Sequence, residues 1–313
     1  MNKFLRNVFL LGTLGLITYI LIAFVVFQTR FSGFQNMQYK TWVKSPGYSY
    51  KKFIEFDKSD KKFDLIFLGS SHCYLGFNPI LFDKNGYTSY NLGSGAQTPY
   101  NSYYLLKHYI DKKSVNKIIV DVYWKMLMTE PTESTMDFAS NMKPNLASID
   151  MVFMHPKINC INNLLFSLLN FNNWEEKSKV IENIYGQYQG KGFVTRKETQ
   201  EGLGNLPKHN FVPNKGQMSY LSNLIELCNK NSIELVLVKT PVTSEYYSSL
   251  NGHCFDSTIK DLAEKHQIKF LNFNVEPHKS NLGLNTNSHF FDKSHLNVNG
   301  TEIFNEYLLS LLQ

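Results

Sequence analysis

A serine hydroxyl is a poor nucleophile unless a base takes its proton and a third group orients that base. Residues of those three types stand in two short segments more than two hundred positions apart. In Asp64-Leu65-Ile66-Phe67-Leu68-Gly69-Ser70-Ser71-His72 an apolar run leads into a small-residue turn. In Phe291-Asp292-Lys293-Ser294-His295-Leu296-Asn297 an aspartate and a histidine stand three residues apart, just ahead of a C-terminal amphipathic segment. Read as a triad, Ser71 attacks an acyl carbon and His295 takes its proton and later returns it to a leaving alcohol. Asp292 then holds the imidazole tautomer. Each segment alone is ordinary, since Gly-Ser-Ser is a common turn and Asp-x-x-His a common helix start capped by the aspartate. Their joint presence in this order is what points to a serine-dependent acyl enzyme.

The surrounding elements must bring the two segments together. Asp64–Leu68, Lys117–Val122 and Ile233–Val238 are short apolar runs suited to strands buried on both faces, and Ile268–Phe273 reads as a further strand. Tyr90-Asn91-Leu92 leads into Gly93-Ser94-Gly95. Helical spacing marks Tyr100–Ile110, Leu221–Cys228, Phe255–His266 and Val298–Leu312. Strands that alternate with helices predict an α/β fold with a central parallel sheet covered on both sides. In such sheets binding sites gather beyond the strand C-termini, which is where Ser71 and Gly95 fall. Residues 124–213 break the rhythm with helical pieces such as Ile161–Leu169 and a polar, Gly-rich stretch from Tyr185 to Lys215. They read as an insertion capping the site, within a catalytic domain that spans 63–313.

The first thirty residues belong to no core. Lys3 and Arg6 precede an uncharged stretch from Asn7 to Thr29, and roughly twenty apolar residues cross a bilayer. The long run and the lack of an Ala-x-Ala-like site in Phe24-Val25-Val26-Phe27-Gln28-Thr29 favour an uncleaved anchor over a signal peptide. The expected organisation is an anchor over 1–30, in the bilayer through residues 8–27, and an irregular stalk over 31–62. Lys3, Arg6 and the N-terminal amine put the start of the chain in the cytoplasm and the rest outside, in the periplasm or at the cell surface. Lys3, Arg6 and Arg30 supply half of the net charge of +6, leaving too little for a nucleic-acid footprint. Cys73, Cys160, Cys228 and Cys254 show no Cys-x-x-Cys pairing, which argues against structural zinc and leaves disulfide formation open.

Taken together, the two segments resemble the SGNH/GDSL hydrolase superfamily, and most closely its membrane-anchored cell-surface branch. That branch includes proteins of teichoic-acid D-alanylation and exopolysaccharide O-acetylation. Gly69-Ser70-Ser71 matches the first block, with Ser70 in place of the usual aspartate, and Asp292 with His295 matches the last. The resemblance covers about 64–122 and 216–313 and implies a flavodoxin-like three-layer fold. It makes Gly95 the match for an oxyanion-hole donor, with Gly93 a second possibility. It also implies a glycan or other acylated substrate, and a membrane-bound O-acyltransferase as partner. The third block departs from the pattern: Asp121-Val122-Tyr123-Trp124 lacks the asparagine that donates to the oxyanion. Losing one such donor costs about two to three orders of magnitude in rate.

The remaining candidates have plainer readings. His72 is either a substrate contact or a hydrogen-bonded structural histidine. Asn91 and Asn101 suit turn and helix-start roles, and Asp121 a salt bridge or turn acceptor. Trp124 and Trp174 have faces that suit sugar rings, although core packing explains them equally. His278 and His289 lack ligand spacing, so no metal and no cofactor are expected. Three functions fit: acyl transfer to or from a cell-envelope glycan, esterase action with water as acceptor, and an inactive glycan-binding scaffold.

Overall fold

Every second residue of the apolar runs turns to the opposite side, and both sides are covered. Ile66, Leu68, Ile118, Val120, Leu235 and Leu237 join one core cluster. Leu65, Phe67, Ile119, Val236 and Val238 join the other, as the two-residue period of a strand requires. A computed structural model describes residues 2–29, 47–59, 61–168, 182–183, 186–199, 203, 206–250 and 252–312. In chain order the strands are β1 (Lys62–Leu68), β2 (Ser89–Asn91), β3 (Ser114–Asp121), β4 (Glu182–Asn183), β5 (Gly186–Gly190), β6 (Phe193–Thr195), β7 (Glu234–Lys239) and β8 (Lys269–Asn272). Five of them form one parallel sheet in the order β2-β1-β3-β7-β8. Helices Pro99–Tyr109, Lys215–Lys230 and Gly252–His266 cover one face, and Ser71–Gly76, Pro79–Lys84 and Val298–Leu312 cover the other. The result is the expected α/β fold in three layers.

The chain leaves β1 toward β2 on one side and returns to β3 on the other. That reversal opens a crevice beyond the C-termini of β1 and β3, and loops from both strands meet there. The last segment is drawn to the same edge. Lys293 O accepts from Thr243 N at 3.1 Å and from Thr243 Oγ1 at 2.8 Å, which ties the loop before the final helix to the loop after β7.

One expectation needs correction. The stretch 31–62 is not irregular throughout: Gly47–Lys58 is a helix, and β1 begins at Lys62. Phe53 and Phe56 on that helix are buried. Phe56 packs against Phe63 at 5.3 Å and against Tyr90 and Tyr109, both at 4.8 Å between ring centroids. Few apolar residues with lysines between them look like a stalk in sequence, yet two phenylalanines one turn apart suffice to dock a helix. Residues 31–46 lie outside the described residues.

The insertion carries a small antiparallel sheet, β4-β5-β6, with β5 and β6 in its Gly-rich stretch. Gly192 has φ +80°, and a Cβ there would sit 1.8 Å from the Asn91 carbonyl oxygen, so the β5–β6 turn lies directly on the end of β2. Asn91 N donates to Lys191 O at 3.0 Å across that contact. The helix expected at Ile161–Leu169 runs Ile158–Leu168, and residue 169 lies outside the described residues.

A helix that completes the core cannot be lost without cost. Phe56→Ala should destabilise the protein by about 3–5 kcal/mol. The check is urea unfolding of the full chain in detergent; a midpoint close to that of the wild type would mean that the helix is peripheral.

Candidate active site

The turn that ends β1 determines where Ser71 points. Gly69 has φ +145°, and a Cβ on it would lie 2.7 Å from Asp121 Cβ on the neighbouring strand, so only glycine fits. Ser70 then caps the short helix Ser71–Gly76, accepting from His72 N at 3.4 Å. Ser71 is the first residue of that helix and faces a cleft of about 950 Å³. Size and lining fit a small-molecule or sugar-sized ligand.

The two distant segments meet at this point. Ser71 Oγ lies 2.8 Å from His295 Nε2, and His295 Nδ1 lies 2.8 Å from Asp292 Oδ2. The other Asp292 oxygen accepts from Ser294 N at 2.7 Å and His295 N at 2.9 Å, so the carboxylate closes its own loop before the final helix. Burial opposes ionisation of Asp292. The hydrogen bond and charge of His295, helped by the two backbone N–H groups, overcome it and hold the carboxyl below the usual carboxylate range.

The structure also separates Gly93 from Gly95. Gly93 N donates to Asn91 Oδ1 at 2.9 Å, and a Cβ at Gly93 would strike the Cys73 side chain at 2.7 Å, so Gly93 is committed to packing. Gly95 lines the cleft beside Ser71, with nothing within 4 Å of a Cβ built on it. Ser94 N donates to Gly69 O at 3.1 Å and sets this loop against the serine turn. Beneath it, buried Lys52 donates to Gly93 O at 2.5 Å. Burial pulls its ammonium down to about 8, against the charge of Asp137.

His72 is buried and stacked, not a residue of the cleft wall alone. Its ring lies 3.8 Å from the Tyr123 ring and 4.2 Å from the His295 ring. Phe291 covers the other face of His295 at 5.3 Å, and the Arg196 guanidinium sits over Phe291 at 4.7 Å. The imidazole of His295 is therefore clamped between two rings. Burial, and after it the charge of His295, hold His72 well below the ordinary histidine value, so it stays neutral beside a ring that takes up protons. Its Nδ1 lies 3.3 Å from Ser70 Oγ. None of Tyr123, Phe291 and Arg196 was expected at the site. Phe291 adjoins Asp292 and Tyr123 follows β3, and those positions were the only signals. Arg196 comes from the insertion and carried none.

Among the described residues Asp121 forms no salt bridge and is instead an acceptor for the turn. It is buried and accepts from Ser70 Oγ at 3.2 Å and Thr240 Oγ1 at 3.1 Å, bracing the nucleophile turn from β3. Asn91 holds the helix that follows, donating to Cys73 O and Phe77 O, both at 2.9 Å. Asn101 forms a capping box with Thr98. Trp124 lines the cleft, Trp174 lies outside the described residues, and His278 and His289 make local contacts, with Tyr307 and Asn285 N respectively. The four cysteines are free thiols. Among the described residues no group of three or more His, Cys, Asp or Glu side chains is placed to hold a metal ion.

No family model matches the chain, and no curated protein matches it. Among solved structures it is similar to a GDSL-like lipase from Bacteroides thetaiotaomicron VPI-5482, with 12% identity and a TM-score of 0.43 over 84% of this chain and 96% of that one. It is also similar to the psychrotrophic esterase EstA from Pseudoalteromonas sp., with 12% identity and a TM-score of 0.40 over 81% of this chain and 97% of that one. What the site can do follows from its own geometry.

Burial pushes the Asp121 carboxyl up to about 7, against hydrogen bonds from Thr240 and Ser70. From the ordinary carboxylate value near 4 up to about 7, the folded state binds a proton that the unfolded chain has released. This contribution to stability is present at low pH and is lost as pH rises through about 7. Asp121→Asn should remove that part of the decline. The check is the urea midpoint of both proteins from pH 4 to 8, and an unchanged slope would mean that Asp121 is ionised in the fold.

Proposed function

We propose that the chain is a membrane-anchored serine acyl enzyme acting outside the cytoplasm, moving an O-acyl group to or from a cell-envelope or exported glycan. One observation carries this reading: the continuous run from Ser71 Oγ through His295 to Asp292, each step 2.8 Å. With Nδ1 protonated toward Asp292, Nε2 accepts the Ser71 proton as Oγ bonds to the acyl carbon. The leaving alcohol takes that proton from Nε2, leaving an acyl-serine. In the second half, a sugar hydroxyl or water gives its proton to His295 and attacks the acyl-serine, and Ser71 Oγ recovers the proton. The N–H groups of Ser71 and Gly95 are the candidate donors to the developing oxyanion.

Acyl transfer is favoured by the resemblance to the anchored branch and by the missing third-block asparagine, which weakens the case for rapid hydrolysis. Trp124, Tyr48 and Tyr246 line the cleft with aromatic rings that suit a sugar, and Glu133 and Asp137 add carboxylates for its hydroxyls. The apolar N-terminal helix Asn2–Thr29, long enough to span a bilayer, supports anchoring. A membrane-bound O-acyltransferase remains the proposed source of the acyl group, on the same resemblance.

The test uses the full chain in detergent with a fluorophosphonate probe and p-nitrophenyl acetate. The wild type should be labelled and release acetate, and Ser71→Ala should do neither. Asp292→Asn should lower turnover by about 10⁴-fold by loss of the tautomer. A folded wild type that is inert to both reagents would sink the acyl-enzyme reading in favour of a scaffold.

A further inference from the structure

Seven large apolar side chains are exposed among the described residues beyond the N-terminal helix, and five of them lie on one helical hairpin. Its helices are Leu146–Met154 and Ile158–Leu168. Phe153, Met154 and Ile158, at 65%, 63% and 62% exposure, form its tip, with Leu146 and Leu168 further back. The spacing makes a surface of them. Leu146, Ile149 and Phe153 recur at helical intervals along the first helix, and Ile158, Ile161, Leu165 and Leu168 along the second. Ile149 and Ile161 pack against the same small cluster of Val152, Cys160 and Leu164, so the two stripes are continuous. A soluble domain seldom leaves so much apolar surface in one place without a use for it.

A second observation indicates what covers this surface. Tyr19, on the apolar helix Asn2–Thr29, donates its hydroxyl to Asn162 Oδ1 on the hairpin's second helix. The exposed hairpin is thus joined to the one helix long enough to cross a bilayer among the described residues. Exposed Lys157 adjoins the apolar tip, 3.9 Å from Glu130 Oε2, and exposed Lys143 precedes Leu146 at the far end of the first helix; long basic side chains there can reach toward lipid phosphates.

We propose that the hairpin 146–168 is a membrane-contact surface whose apolar edge enters the interface of the bilayer crossed by the N-terminal helix. The inference rests on the anchored reading given above. It assigns the insertion a task besides capping the cleft. Helix Thr132–Asn141 packs on the hairpin, contributing Met136 and Ala139 to its core, and brings Glu133 and Asp137 to the cleft wall. One helix therefore links the membrane to the site, so the cleft is held at a set orientation to the lipid surface instead of swinging on a tether.

The test places a bimane label on Phe153→Cys or Ile158→Cys in the full chain, in a Cys254→Ser background because Cys254 is the exposed thiol. Leu14→Cys reports on the span, and Val212→Cys on an exposed apolar site elsewhere. The protein is reconstituted in vesicles of phosphatidylcholine and phosphatidylglycerol. Quenching is read with aqueous iodide and with nitroxide lipids labelled near the headgroup or near the chain end. At 153 and 158 we expect loss of the iodide quenching seen at 212, with stronger quenching by the shallow nitroxide. At 14 the deep nitroxide should dominate. Iodide quenching at 153 and 158 equal to that at 212, with 14 still quenched by lipid, overturns the inference and leaves the anchor standing. Shielding from iodide and from both nitroxides also overturns it, because a protein contact then covers the hairpin. If 14 is quenched by neither lipid, the anchor fails and the inference with it.

Discussion

The close approach of β1 and β3 at Gly69 is the constraint on which the rest of the site depends. The backbone there takes a positive φ against the Asp121 side chain, leaving no room for a Cβ. That turn releases the chain from the sheet and begins a helix two residues later, with Ser71 at its first position. Asp121 at the end of β3 then accepts from Ser70 in the turn, Thr240 beyond β7 holds Asp121, and Asn91 at the end of β2 holds the helix through Cys73 O. A serine on so short a helix gets its placement from these supports, because an isolated helix of that length is unstable.

His295 is held by different means. His295 sits on a loop, and a loop histidine has ring torsions to lose before it can act. Hydrogen bonds fix both of its nitrogens, and stacking fixes both faces, with His72 on one side and Phe291 on the other. When His295 takes up a proton, both flanking rings present π-faces to the cation, a favourable arrangement in a partly buried site. Burial keeps His72 from competing for that proton, so neutral His72 adds no like charge beside the imidazolium.

The insertion joins the two halves of the molecule. Its β5–β6 turn lies on the end of β2, its residue Arg196 covers Phe291, and Arg196 O accepts from Val298 N at 2.7 Å at the start of the final helix. A segment that interrupts the strand–helix rhythm in sequence thus braces the first and last segments of the site at once. Lys52, from a helix that precedes the first strand, supports the loop of Gly95 from below. Preorganisation of this kind lowers the cost of assembling charge in a site before any substrate arrives.

Much of this was legible in the sequence, because strand and helix periods are local properties. The apolar runs of β1, β3 and β7 and the amphipathic pattern of Val298–Leu312 determined the sheet and its layers. Ser71, Asp292 and His295 stood out because their residue types and order are informative without a distance. That Gly93 packs against Cys73 and donates to Asn91, while Gly95 lines the cleft, needed the structure. The stack of Tyr123, His72, His295 and Phe291, the bracing by Asp121 and the docking of Gly47–Lys58 had no sequence period to reveal them. They depend on contacts between segments far apart in the chain, and only the folded chain decides which side chains meet.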